Sequence, residues 1–220
     1  MSNKLVNPPD LDVKPIIICV TGHAGSGKSR TASMLKSLLP NSYCIRPDDY
    51  LSDFIVQFSV ETEKIIGEPV VTKDGFEYIA QVERKLTAKG WKEWHEIFLS
   101  SYANTRLSED VDSITLECSP YFIIVEHMAA SAFDIWKKSN CKIHIQASSL
   151  EVLYEQVRKR KGTDWNRKTL EIVHLGVREY IDDIVVDYTI NNFYDESFDN
   201  EIKILAQQIM KNISILNNFK

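Results

Sequence analysis

The sequence lacks any run of apolar residues near the ~18 needed to span a bilayer, and its N-terminus carries no apolar signal core. A membrane span and a secretory leader are therefore not expected, and the reading is cytoplasmic. Cysteine is sparse: Cys19, Cys44, Cys118 and Cys141 lie far apart, with no C-x-x-C pair. That spacing argues against zinc or disulfide roles, and three of the four sit in or beside apolar runs, as small buried hydrophobes in a reducing compartment do. Internal repeats and low-complexity tracts are absent. So is any excess of positive charge: 26 Lys and Arg against 31 Asp and Glu leave a net charge of −5. This excludes a wide surface for tracking nucleic acid, although a local basic pocket stays compatible with it. No feature of the sequence specifies an oligomeric state.

What remains is ordinary for a globular protein. With 220 residues, 44% hydrophobic and 26% charged, the chain reads as a single domain able to bury a real core. Residues 1–14 contain Asn7-Pro8-Pro9-Asp10 and no apolar period, so they are expected to form a flexible tail before a domain over 15–220.

The most specific segment is Gly22-His23-Ala24-Gly25-Ser26-Gly27-Lys28-Ser29, which follows the apolar run Ile16-Ile17-Ile18-Cys19-Val20. It fits G-x-x-x-x-G-K-[ST], a phosphate-binding loop between a strand and a helix. Gly22, Gly25, Ser26 and Gly27 supply a tight backbone turn whose N–H groups face a polyphosphate. Lys28 adds a point charge at the β and γ phosphates, the Ser29 hydroxyl is a ligand for Mg²⁺, and Arg30 opens the helix that completes the nucleotide site. That helix is expected over Arg30 to Leu39, with Ala32, Leu35, Leu38 and Leu39 on one face. The glycines are spaced G-x-x-G-x-G rather than G-x-G-x-x-G, which argues against a dinucleotide fold.

Further strands are expected at Ser42–Arg46, Tyr121–Glu126, Cys141–Ile145 and Ile184–Ile190. Helices are expected at Phe76–Lys89, stopped by Gly90, and at Trp91–Ala103, Leu150–Lys161, Leu170–Ile181 and Glu201–Leu216. Loops and a short helix are expected between Asp48 and Gly75. Strands alternating with helices imply βαβ crossovers and a three-layer α/β fold with a parallel sheet of about five strands. The mainly helical stretch 51–118, inserted between the second and third strands, is where an acceptor would bind.

Chemistry-bearing residues stand at the strand ends, the ligand edge of an open α/β sheet. Asp48 follows the second strand, and if that strand lies at or near the side of the first, its carboxylate can take a proton from an attacking hydroxyl. The alternative is an Asx turn after Pro47, with Asp49 capping the next helix. Glu126 ends an otherwise apolar strand, either to hold Mg²⁺ or simply as the first polar residue after a buried run. His127 beside it either touches an acceptor or, as the favoured reading, is a hydrogen-bonded structural histidine, and His23 is a variable loop position. Arg158 and Arg160 lie in the basic run before Gly162, where they either fold over the phosphates or complement the helix C-terminus. Arg167 is a weaker candidate for the same role.

This arrangement resembles the P-loop kinases of small metabolites, with uridine kinase and nicotinamide riboside kinase as the nearest comparison. It covers most of residues 15–192. The resemblance implies ATP and Mg²⁺ as cofactors, a small-molecule acceptor, Asp48 as general base, Ser29 and Glu126 at the magnesium, and Arg158 or Arg160 as lid arginines. The run Arg46-Pro47-Asp48-Asp49-Tyr50 is also similar to 5′-hydroxyl polynucleotide kinases. The run Val186-Asp187-Tyr188-Thr189-Ile190-Asn191-Asn192 looks like the final strand of dephospho-CoA and nucleoside monophosphate kinases. The chain departs from the nucleoside kinases in carrying His127, where they often have glycine. Two other readings stay open: a kinase acting on an existing phosphate, with Arg84 and Arg106 as its anion ligands, and a nucleotide-gated switch.

Overall fold

The computed structural model describes residues 14–69, 82, 85–161 and 167–217. The expected tail, all but Lys14, lies outside these residues, as do most of the helix expected at Phe76–Lys89 and Arg84.

Five strands form one parallel sheet in the order β2-β3-β1-β4-β5. They are β1 (Ile16–Thr21), β2 (Ser42–Ile45), β3 (Phe122–Glu126), β4 (Cys141–Ala147) and β5 (Tyr188–Asn192). β-Branched residues dominate the two central strands, as suits strands buried on both faces. Alternation then divides the core. Ile18, Val20 and Ile124 pack toward α1 (Lys28–Leu38) and α9 (Glu196–Asn217), whereas Cys19, Ile123 and Val125 face the opposite layer. Burial pushes the Cys19 and Cys141 thiols up to about 12, so both remain protonated packing groups. On α1, Ala32 and Leu35 are buried, as is Leu39 just past its end, while Leu38 turns partly to solvent.

Between β2 and β3 lie a 3₁₀ turn (Pro47–Tyr50), α2 (Leu51–Gln57), α3 (Ser59–Ile66), α4 (Ala88–Ile97), a π turn (Phe98–Ala103) and α5 (Asn104–Cys118). Trp91, Trp94, Phe98, Leu107 and Val111 recur at helical spacing and are all buried. Two hydrogen bonds tie this layer down: Trp94 Nε1 donates to Thr62 Oγ1 (3.0 Å), and the Tyr50 hydroxyl donates to Asp110 Oδ2 (2.6 Å).

After β3 come α6 (Asp134–Lys138), then α7 (Leu150–Lys161) and α8 (Arg167–Val177), the last closed by a 3₁₀ turn at Arg178–Tyr180. Among the described residues, no helix is long and apolar enough to cross a membrane.

Several local expectations are corrected. Gly90 does not stop a helix but lies inside α4, because the Thr87 hydroxyl accepts its N–H at 3.1 Å and so caps the N-terminus. The apolar run Ile184–Val186 precedes its strand rather than forming it. There the Asp187 carboxylate accepts the Lys142 N–H at 2.7 Å, so the ladder begins at Tyr188 and Val185 stays exposed. The last helix starts five residues early, at Glu196, since Asp195 accepts the Ser197 N–H at 2.9 Å. The helix expected at Leu170–Ile181 begins at Arg167 and tightens after Val177. β2 does lie near β1, with β3 between the two, as the reading of Asp48 requires.

Candidate active site

Register alone brings the strand ends together. Val20 pairs with Glu126, and Ile45 pairs with Val125, so the loop leaving β1, the end of β3 and the turn after β2 open side by side. Asp48 therefore reaches the same edge as Lys28 even though β2 is not β1's neighbour.

The loop has the strained backbone its glycines allow. Gly27 has φ of 108°, and a Cβ there would stand 2.5 Å from Asn192 Nδ2, so only glycine fits without displacing that side chain. Lys28 Nζ donates to the His23 carbonyl (2.9 Å), which also accepts the Ser26 N–H (3.1 Å). The Ser26 hydroxyl is buried without a hydrogen-bond partner among the described residues. A cradle of backbone amides, an ammonium and an unsatisfied hydroxyl suits a polyphosphate.

The end of β5 grips this loop from behind. Asn192, buried, donates through Nδ2 to the Ser26 carbonyl (2.7 Å) and accepts the Tyr194 N–H through Oδ1 (2.8 Å). The Tyr194 hydroxyl in turn donates to the Gly25 carbonyl (2.8 Å). Neither residue was singled out by sequence reasoning. Their signal is the rule already applied to Asp48 and Glu126: a polar residue at the carboxyl end of a parallel strand.

Glu126 is buried and accepts the Ser29 hydroxyl at 3.2 Å, and Arg46 Nε stands 3.9 Å from the same carboxylate oxygen. One hydroxyl and one carboxylate are hard oxygen donors of the kind Mg²⁺ takes, and few protein ligands suit an ion that keeps waters and binds substrate phosphates. Among the described residues, no three His, Cys, Asp or Glu side chains converge into a fuller metal cage.

Asp48 borders a pair of buried histidines. His127 Nε2 lies 3.1 Å from Asp48 Oδ1, a close contact without the alignment of a full hydrogen bond. The cleft surrounds the carboxylate with protein yet leaves 48% of its side-chain surface open. Burial pushes the Asp48 carboxyl up, but the His127 ring N–H beside it and the attraction of Lys28 outweigh it and hold the group well below the usual carboxylate range. His95 is 4% exposed, stacked on Trp91 with ring centroids 4.0 Å apart, and has neither ring nitrogen partnered among the described residues. Burial brings its pKa down to about 3. His23 likewise falls to about 3, through burial and the nearby His174 and Lys28.

Of the other expected site residues, Arg30, Arg158, Arg167 and Arg106 each face a carboxylate. Arg30 pairs with Asp199 of α9 at 2.7 Å. Arg158 pairs with Glu155 at 3.8 Å on the surface of α7, and Arg167 bridges Glu151 and Glu171 at 3.0 Å each. The Arg160 side chain lies outside the described residues. Arg106 pairs with Glu109 at 3.8 Å.

No family model and no curated protein matches the chain. Solved structures do. The protein TT1252 of Thermus thermophilus aligns at a TM-score of 0.63 and 18% identity over 90% of this chain and 98% of its own. A dephospho-CoA kinase of Campylobacter jejuni gives a TM-score of 0.53 at 14% identity, covering 91% and 98% of the two chains. A candidate kinase of Chloroflexus aurantiacus gives 0.51 at 19%, covering 89% and 98%. At such identities the likeness speaks for the fold alone, and the fold is the three-layer α/β architecture found in P-loop kinases.

Proposed function

We propose that the protein is an ATP-dependent kinase that moves the γ-phosphoryl group to a hydroxyl of a small metabolite, preferably a nucleoside or nucleoside-like compound. The observation that carries this reading is the meeting, at one sheet edge, of the phosphate loop, the Ser29–Glu126 oxygen pair and the ionised Asp48. Lys28 and the loop amides bind the phosphates. Ser29 and Glu126 would hold Mg²⁺, which when bound offsets charge on the phosphate oxygens.

Asp48 takes the proton of the acceptor hydroxyl as its oxygen bonds to the γ-phosphorus. The bond from that phosphorus to the β-bridging oxygen breaks, and ADP leaves. A carboxylate held well below its usual range is fully ionised at neutral pH and ready for this step. A phosphate acceptor would be ionised already and would need cations, yet Arg106 is turned to Glu109.

The test incubates the protein with Mg²⁺-ATP and pooled nucleosides, nucleotides and vitamins. Mass spectrometry then searches for acceptors that gain one phosphoryl group, with Lys28→Ala as control. A product absent from the control supports the kinase. ATP binding without any such product counts against it. Asp48→Asn should keep ATP binding and lose at least ~10²-fold in turnover.

A further inference from the structure

Resting on the reading of Asp48 as base, we infer that His127 is a positioning residue: a neutral imidazole locked with its proton on Nε2, which holds one oxygen of the Asp48 carboxylate and leaves the other for the acceptor.

The lock is built from the backbone. The Ala129 N–H donates to His127 Nδ1 at 3.1 Å, so that nitrogen must offer a lone pair and carry no proton. A neutral ring then bears its only proton on Nε2, the atom 3.1 Å from Asp48 Oδ1. Protonating both nitrogens would set two N–H groups against each other at Nδ1. The ring itself has no freedom to turn. Its side chain is wholly buried, and its own N–H and carbonyl are taken by Val20 and Ala130. His95 lies nearly parallel to it at 5.7 Å, with Phe98 and Phe133 tilted against it at 6.1 and 5.2 Å.

One consequence concerns which group is the base. With the Nδ1 lone pair occupied and Nε2 already protonated, His127 has no site left for the acceptor's proton, so that proton ends on Asp48. His127 works through orientation. A buried ring N–H standing 3.1 Å from one carboxylate oxygen limits how that group can turn, and misplacing a reacting group by about 1 Å can cost ~10²-fold in rate.

Two substitutions separate this role from packing. His127→Asn keeps an oxygen able to accept the Ala129 N–H but has nothing at the Nε2 position, whereas His127→Gln can put an amide N–H there. With the pooled acceptors and Mg²⁺-ATP, His127→Asn should be slower by about 10-fold or more and His127→Gln within about 3-fold of wild type, both with unchanged KM for ATP.

Wild-type turnover in His127→Asn, with Asp48→Asn inactive, would overturn the inference and leave the proposed function standing. Equal losses in both His127 variants would overturn it as well, by assigning the ring to packing. Full turnover in Asp48→Asn would instead remove the base on which it rests. Should neither His127 variant fold, ¹⁵N shifts of the wild-type imidazole at pH 7 decide: the Nε2–H tautomer supports the inference and the Nδ1–H tautomer overturns it.

Discussion

Replacing His95 with phenylalanine should make the protein's stability less sensitive to acid. His95 is 4% exposed, and its pKa falls from 6.5 to about 3 because burial penalises the charged ring. In the unfolded chain it titrates near ~6.5. A histidine whose folded pKa lies below its unfolded value adds no penalty above about pH 6.5. It then erodes stability as pH falls toward 3, because over that window the unfolded state binds the extra proton. Between pH 7 and pH 5 the unfolded chain takes up most of a proton at this position and the folded chain almost none. The unfolding free energy should drop by about 2 kcal/mol through this one residue.

Phenylalanine keeps a ring between Trp91 and His127 and removes both unpartnered nitrogens. At pH 7 the gain from removing them and any overpacking by the larger ring act in opposite directions, so the informative quantity is the change with pH. His23, His144 and His174 are also lowered, but they act alike in both proteins and cancel from the comparison. Urea unfolding followed by tryptophan fluorescence at pH 7 and pH 5 measures it. The midpoint of the wild type should fall by roughly 1 M more than that of His95→Phe. Equal losses would mean that His95 takes up its proton while folded, and the argument from its burial would fail.

Gly176→Ala on α8 would drive a Cβ into the Trp91 ring, so a change worth up to ~1 kcal/mol of stabilisation in an exposed helix should instead cost about 1–3 kcal/mol, read as a lower thermal midpoint. Asn192→Ala leaves the buried Ser26 carbonyl without its 2.7 Å donor. It should lose about 1–3 kcal/mol of stability and bind a fluorescent ATP analogue more weakly; unchanged affinity would release Asn192 from shaping the loop. Because the Asp48 carboxyl is held below its usual range, the proposed base stays ionised as pH falls. The acid limb of kcat/KM should then lie below about pH 4, and a limb near pH 6 would exclude Asp48 as its origin.

Why some of this was legible in the sequence and some was not comes down to how far each feature reaches. The phosphate loop is written in eight consecutive residues, and Asp48 and Glu126 were found because they end strands. In a parallel sheet every strand presents its carboxyl end to the same edge, whatever the strand order. That is why β3 can stand between β1 and β2 without consequence: the register Ile45 to Val125 still delivers Asp48 to the loop. The edge rule also covers Asn192 and His127, and it was not carried through to them. The helical layer is different in kind. Periodicity announces that Trp91, Trp94 and Phe98 are buried, but not against what. Stacking on His127 is what makes His95 part of the site, and no spacing within α4 encodes a partner 32 residues away on β3's exit. Gly90 misled for the same reason, since a local breaker was weighed without the Thr87 cap that continues the chain as helix. The residues proposed for the phosphoryl chemistry are therefore edge residues fixed by topology. The acceptor was expected on a layer whose contacts are long-range, so the proposed nucleoside preference rests on resemblance while the proposed phosphate site rests on residues.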